Sequence, residues 1–129
     1  MIRELNKQEI REIEDYIQTL KNKKEYKNYF YGAEKQGYSD RGFILDESYY
    51  CDLEIINDIP FLGMFKLKDG SLKPIIQLFK NILSEYSVIG LWRTVENLQV
   101  KKLHEHIKKR YPQALEIIKN NIVVIVIRR

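Results

Sequence analysis

Apolar and polar positions change period several times along this chain, and each change marks an element. Ile2 to Leu5 reads as a short strand. Asn6 then stands as a cap with Glu9 three residues on, and Ile10, Ile13, Ile17 and Leu20 recur at helical spacing, so a helix over 7–21 is predicted. Its acidic residues are assigned to a solvated face. From Gly42 the pattern becomes extended, giving strands over 42–47 and 49–56, a turn at Asn57-Asp58, and a third meander strand over 61–68. In the second of these Tyr50, Asp52 and Glu54 face one way, while Cys51, Leu53 and Ile55 face the other. Gly63 inside the third marks a bulge or a close backbone approach.

Residues 61–95 form one β-α-β unit: the strand 61–68, a turn at Asp69-Gly70-Ser71, a helix over 74–86 and a strand over 88–95. Ser71 is placed as the helix cap, Pro74 in the first turn, and Ile75, Ile76, Phe79, Leu83 and Tyr86 as the buried stripe. The strand 88–95 is apolar on both sides, as a covered central strand is. A helix over 98–110 follows Asn97, with Val100, Leu103 and Ile107 apolar and five lysines or arginines around them. Pro112 ends it. Residues 113–118 read as a strand or a last helical turn, Asn120-Asn121 as a hairpin turn, and 121–127 as a central buried strand.

Residues 22–42 carry no clear period. The first dozen fit a short helix ending near Gly32, and the rest a loop. Lys21, Lys23, Lys24 and Lys27 beside Tyr26 and Tyr29 fit a nucleic-acid patch, in which lysines meet phosphates and aromatics stack on bases, but Glu25 and the acidic helix beside them favour solvated helix-end lysines.

Composition narrows the class. The chain's 129 residues, 44% hydrophobic and 31% charged, suit a single globular domain over 1–129. A net charge of +4 permits an anionic partner without demanding one. A single cysteine excludes an intrachain disulfide and a cysteine-rich metal site, and a reducing cytosol is the simplest compartment. The polar start argues against a signal peptide, and the longest apolar run, 122–127, is far short of a membrane span. His104 and His106, two apart on a helix, point away from each other and make no metal pair.

The order strand, helix, antiparallel meander, turn, helix, strand, helix, hairpin resembles the Gcn5-related N-acetyltransferase (GNAT) superfamily. The most specific local likeness is Asn97 to Glu105, similar to the family stretch in which an asparagine past the fifth strand precedes a helix reading Ala-x-x-Leu-Tyr-Glu-Lys. Asn97 takes the asparagine position, Val100 the alanine, Leu103 the leucine, Glu105 the glutamate and His106 the lysine. His104 takes the place of the tyrosine, the family's usual general acid toward coenzyme A thiolate. The resemblance implies an α+β (mixed α/β) fold, a central, mostly antiparallel twisted sheet flanked by helices. It also implies an acetyl-CoA site at Phe65, Lys66, Lys68, Gly70, Ser71, Lys73 and Asn97. The family's Arg/Gln-x-x-Gly-x-Gly/Ala loop is here Lys66 to Lys73, with one glycine, an added Asp69, and Lys68 and Lys73 as compensating cations. Small, degenerate copies of this fold occur among bacteriophage proteins, some of them virion components, and this chain looks like that kind.

Acyl transfer from a thioester needs a base for the amine and an acid or hydrogen bond for the thiolate. Glu54 is the candidate base, directly or through water, with Asp52 on the same side as its rival, and His104 the candidate acid. Glu54 reads equally as a half-exposed strand carboxylate, His104 as a surface residue, Asn97 as a plain cap, Trp92 as core and Cys51 as a small buried residue. Three functions compete. The first is an acetyl-CoA-dependent N-acetyltransferase acting on an amine substrate. The second is a catalytically silent phage structural, virion-associated or accessory protein, working with other phage proteins or as a homo-oligomer. The third is a nucleic-acid-binding module.

Overall fold

The computed structural model describes residues 1–20 and 37–129; the short helix expected near Gly32 and the Lys21–Tyr29 cluster lie outside the described residues. The described chain runs β1 (Ile2–Glu4), α1 (Lys7–Gln18), β2 (Arg41–Leu45), β3 (Tyr49–Ile56), β4 (Ile59–Lys66), α2 (Lys73–Tyr86), β5 (Val88–Thr94), α3 (Leu98–Arg110), β6 (Leu115–Lys119) and β7 (Ile122–Arg128). The strands make one mixed sheet in the order β1-β2-β3-β4-β5-β7-β6. Every neighbouring pair is antiparallel except β4 and β5.

Local chemistry accounts for the element ends. Asn6 Oδ1 accepts from Glu9 N (2.9 Å) while Glu9 Oε1 accepts from Asn6 N (3.0 Å), a reciprocal capping box at the start of α1. Asn57-Asp58 and Asn120-Asn121 are two-residue hairpin turns with both φ positive, which asparagine and aspartate tolerate and which match strand twist. The first turn is tight enough that Pro60 enters β4 opposite Ile55, so this strand starts earlier than its apolar run suggests.

α1 lies on one face of the sheet, where Ile10 and Ile17 pack with Tyr50 and Phe65. α2 and α3 cover the other, where Phe79, Ile82, Leu103 and Ile107 meet Leu53, Leu62, Ile89 and Ile125. The buried stripe of α2 is Ile75, Leu78, Phe79, Ile82 and Leu83; Ile76 and Tyr86 are only half-buried. The helix is thus rotated from the expected stripe, with Leu78 and Ile82 in the core and each 1% exposed. Arg41 fastens the far edge, with Nε and Nη2 each 2.8 Å from the Glu4 carboxylate and Nη1 2.9 Å from Glu85.

β7 lies between β5 and β6, as its β-branched run predicts, yet only Val123, Ile125 and Ile127 are fully buried. Residues 115–119 are a strand, and an edge one with all five side chains exposed. No described helix is long and apolar enough to cross a membrane.

Candidate functional site at the parting of two parallel strands

β4 and β5 pair at only two positions, Phe61 with Gly90 and Leu62 with Leu91. Beyond them β4 continues against β3 to Lys66, while β5 continues against β7 to Thr94, so the two strands part toward their carboxyl ends. The ends of parallel strands that separate make a crevice, and ligands of α/β sheets favour such places. The side chains along it come from both faces of the sheet: Trp92 beside Gly63 on the α1 face, and Met64, Phe79, Val100 and His104 on the other. The gap itself is narrow, about 20 Å³.

Gly63 is required here. A Cβ would stand 2.4 Å from Asp52 Oδ1 and 2.8 Å from Trp92 Nε1, so the close approach expected from a strand glycine is real.

The turn after β4 is braced against the β2–β3 hairpin. Leu67 N and Lys68 N both donate to Ser48 O (2.7 and 3.2 Å), and the Tyr49 hydroxyl donates to Gly70 O at 3.0 Å. Gly70 lies so close to Ser48 that a Cβ would meet its Oγ at 2.3 Å and its Cβ at 2.6 Å. This glycine is therefore kept for packing, and any side chain there displaces the loop. Ser71 is not the cap of α2. Leu72 holds that position without a side-chain hydrogen bond, and the Ser71 hydroxyl accepts from Lys73 N at 3.2 Å.

The amides of Asp69, Gly70, Ser71 and Leu72 donate to no group among the described residues, and all four residues are exposed. They precede the open amino end of α2, where unpaired N–H groups and the helix dipole favour an anion. Of the three lysines expected to assist, Lys66 is engaged by Asp69 at 2.5 Å and Lys68 by Glu47 at 3.6 Å. The lysine ammonium beside it holds the Asp69 carboxyl below its usual range. Lys73 is exposed and has no ion pair among the described residues. Phe65 is buried in the α1-side cluster, so its side chain packs core and only its backbone borders the turn.

Across the gap, Asn97 caps α3, its Oδ1 accepting from Val100 N at 3.2 Å. His104, one turn further, is only 3% exposed, which corrects the surface reading. Burial first, then the charges of Arg93 and Lys108, push its pKa down to about 3. The ready proton exchange near neutral pH expected of a histidine is lost for that reason, and the ring is neutral at pH 7. Its Nδ1 has no hydrogen-bond partner among the described residues.

This makes a pH prediction. An unfolded histidine takes up a proton as pH falls through 6.5, whereas folded His104 does so only near 3. The unfolded state thus binds the extra proton, and stability falls with pH across that window. In urea titrations from pH 7 to about pH 4, H104F is expected to lose less stability than the native protein. Parallel losses would contradict it.

Glu54 is half-buried on β3 opposite Phe61, at the paired end of β4 and away from the widening end. Asp52, opposite Gly63, lies nearer the parting strands and is 2% exposed. It belongs to a buried polar cluster that the sequence reading missed. Glu14 on α1 accepts from Ser39 N (3.0 Å), Ser39 Oγ (2.6 Å) and Tyr50 Oη (2.5 Å), and Ser39 Oγ lies 3.3 Å from Asp52 Oδ2. Burial and the adjoining Glu14 carboxylate push the Tyr50 phenol pKa up. Glu14 is 3% exposed, which overturns the assignment of all α1 acids to a solvated face. The signal was present, because Ile10, Glu14 and Ile17 share one helical stripe. Arg93, 6% exposed and donating to Thr94 O and Val95 O, was likewise hidden inside an apolar-looking strand. Cys51 is fully buried, and burial raises its thiol pKa, which makes it inert packing.

No protein-family model, no curated protein and no solved structure matches the chain.

Proposed function

We propose that this protein is an acyl-CoA-dependent N-acyltransferase of GNAT type, with its cofactor site where β4 and β5 part. The observation that carries the reading is the pairing of those strands at two positions only, with the open amino end of α2 beyond one and the Asn97-capped start of α3 beyond the other. The exposed amides of Asp69 to Leu72 suit a pyrophosphate, and Lys73 adds a cation beside them. Asn97 borders the pantetheine arm.

Acetyl-CoA supplies an activated acyl group as a thioester. The chain's part is to orient an amine, remove its proton as the C–N bond forms and stabilise the sulfur as the C–S bond breaks. Asp52, nearer the parting strands, takes precedence over Glu54 as the base. His104, held neutral, serves as a hydrogen-bonding ring near the sulfur rather than as an imidazolium acid, so the thiolate takes its proton from solvent.

Millimolar acetyl-CoA is expected to raise the melting temperature by several degrees, and Lys73→Glu to abolish the rise. Glu at the first turn of a helix is favourable, so that variant should fold as well as the native chain. Gly70 substitutions are unsuitable here because of Ser48.

The second reading, a catalytically silent protein of the same fold acting in a phage assembly, is favoured by the engagement of Lys66 and Lys68 with carboxylates and by the exposed β6 edge. Absence of any acetyl-CoA response would select it. The nucleic-acid reading rests on the Lys21–Tyr29 cluster, and salt-dependent binding to DNA or RNA would test it.

A further inference from the structure

A cavity lies at the opposite end of the sheet from the parting strands, and its origin is a mismatch of strand lengths. β6 begins at Leu115 opposite Val126, whereas β7 runs on to Arg128 opposite Val88 of β5. The last residues of β7 thus overhang β6. The turn from Arg110 to Ala114 passes beside them, held by Tyr111 N donating to Ile107 O and by Ala114 N donating to Tyr111 O. An open cavity of about 380 Å³ results, within the range of small-ligand sites.

Arg110 and Arg128 line it together with Tyr111, Leu115 and Val126. Both arginines are exposed, and neither side chain has an ion pair or hydrogen bond among the described residues. The charges that would oppose an anion are spent elsewhere. Tyr111 N caps the Ile107 and Lys108 carbonyls at the negative end of α3, and Glu116 on β6 is paired with Lys108.

We infer that the Arg110–Arg128 cavity is a binding site for a small phosphate monoester bearing an apolar group. Two guanidiniums balance the nearly two negative charges of a phosphate monoester at neutral pH, and their forked donors suit its oxygens. A carboxylate would neutralise only one of them. Leu115, 65% exposed, and the half-buried Val126 give the apolar part of such a ligand a wall. This site is separate from the proposed cofactor crevice.

Phenyl phosphate is the probe, with inorganic phosphate and benzoate as its two halves. Titrations followed by amide NMR at moderate salt should show phenyl phosphate binding more tightly than either half, with shifts at residues 110–115 and 126–128. R110Q should weaken it about tenfold, and R110Q/R128Q should remove it. Leu115→Asn should bring phenyl phosphate down toward inorganic phosphate. K73E should leave the binding unchanged, which separates this site from an anion held at α2. The substituted residues Arg110, Leu115 and Arg128 are all exposed, so the variants should fold. Benzoate binding as tightly as phenyl phosphate, or binding that survives R110Q/R128Q, would overturn the assignment.

Discussion

Glu14→Ala is expected to cost about 3 kcal/mol or more of unfolding free energy, a large share of the total for a domain of this size. The substitution removes the acceptor for three buried or half-covered donors at once, Ser39 N, Ser39 Oγ and the Tyr50 hydroxyl. Removing the acceptor of a buried donor costs about 1–3 kcal/mol, least for Ser39 Oγ, which keeps Asp52 Oδ2 at 3.3 Å. Glu14→Gln keeps one carbonyl oxygen in place and should cost less than half as much. Urea titration of the two variants measures the difference. Equal small losses, below about 1 kcal/mol, would mean that the cluster contributes little and that α1 is held by Ile10 and Ile17 alone.

The consequence for the site is indirect but specific. Asp52 reaches this cluster through the Ser39 hydroxyl, and its other oxygen borders the space that Gly63 keeps clear beside Trp92. Loosening α1 therefore loosens the carboxylate proposed as the base. Glu14→Gln is expected to lower any acyl-transfer rate more than it raises KM, because Glu14 acts through Asp52 and touches neither substrate nor cofactor.

Phe79→Ala is expected to cost about 3–5 kcal/mol. The ring is 2% exposed, stands edge-on to Tyr111 at 5.6 Å between centroids, and closes the inner wall of the crevice between α2 and β5. Its removal leaves a void that the sheet cannot collapse into, since Leu91 and Leu62 are fixed by strand pairing. Phe79→Leu keeps most of the volume and should cost under half of that. A cost for Phe79→Ala near 1 kcal/mol would show that α2 shifts to refill the gap.

The order of elements was legible because periodicity is a local property. Capping residues, two asparagine-containing turns and the switch between helical and extended spacing place six strands and three helices within a few residues of their observed bounds, while 113–118 stayed open between strand and helical turn. The sheet's mixed character followed from the short links of the meander and the helix between β4 and β5. Pairing partners far apart in sequence were less legible. Nothing near Glu14 announces that Ser39 and Tyr50 will close over it, and the pattern of β5 does not show that Arg93 can bury its charge by donating to the carbonyls of Thr94 and Val95. The role of Gly70 was visible only as a glycine in a turn; its cause is the Ser48 side chain, which approaches from another hairpin. His104 was singled out by the family resemblance, as the residue in the tyrosine's place, but its neutrality depends on burial and on Arg93 across the packing, neither of which spacing encodes.

The central claim is that coenzyme A lies where β4 and β5 part, and amide and indole NMR during an acetyl-CoA titration tests it most directly. The account predicts saturable shifts at the amides of Asp69, Gly70, Ser71 and Leu72, at Asn97 and at the Trp92 indole. Those shifts should weaken in K73E and persist in R110Q/R128Q. No shifts at millimolar acetyl-CoA, or shifts confined to residues 110–115 and 126–128, would contradict it.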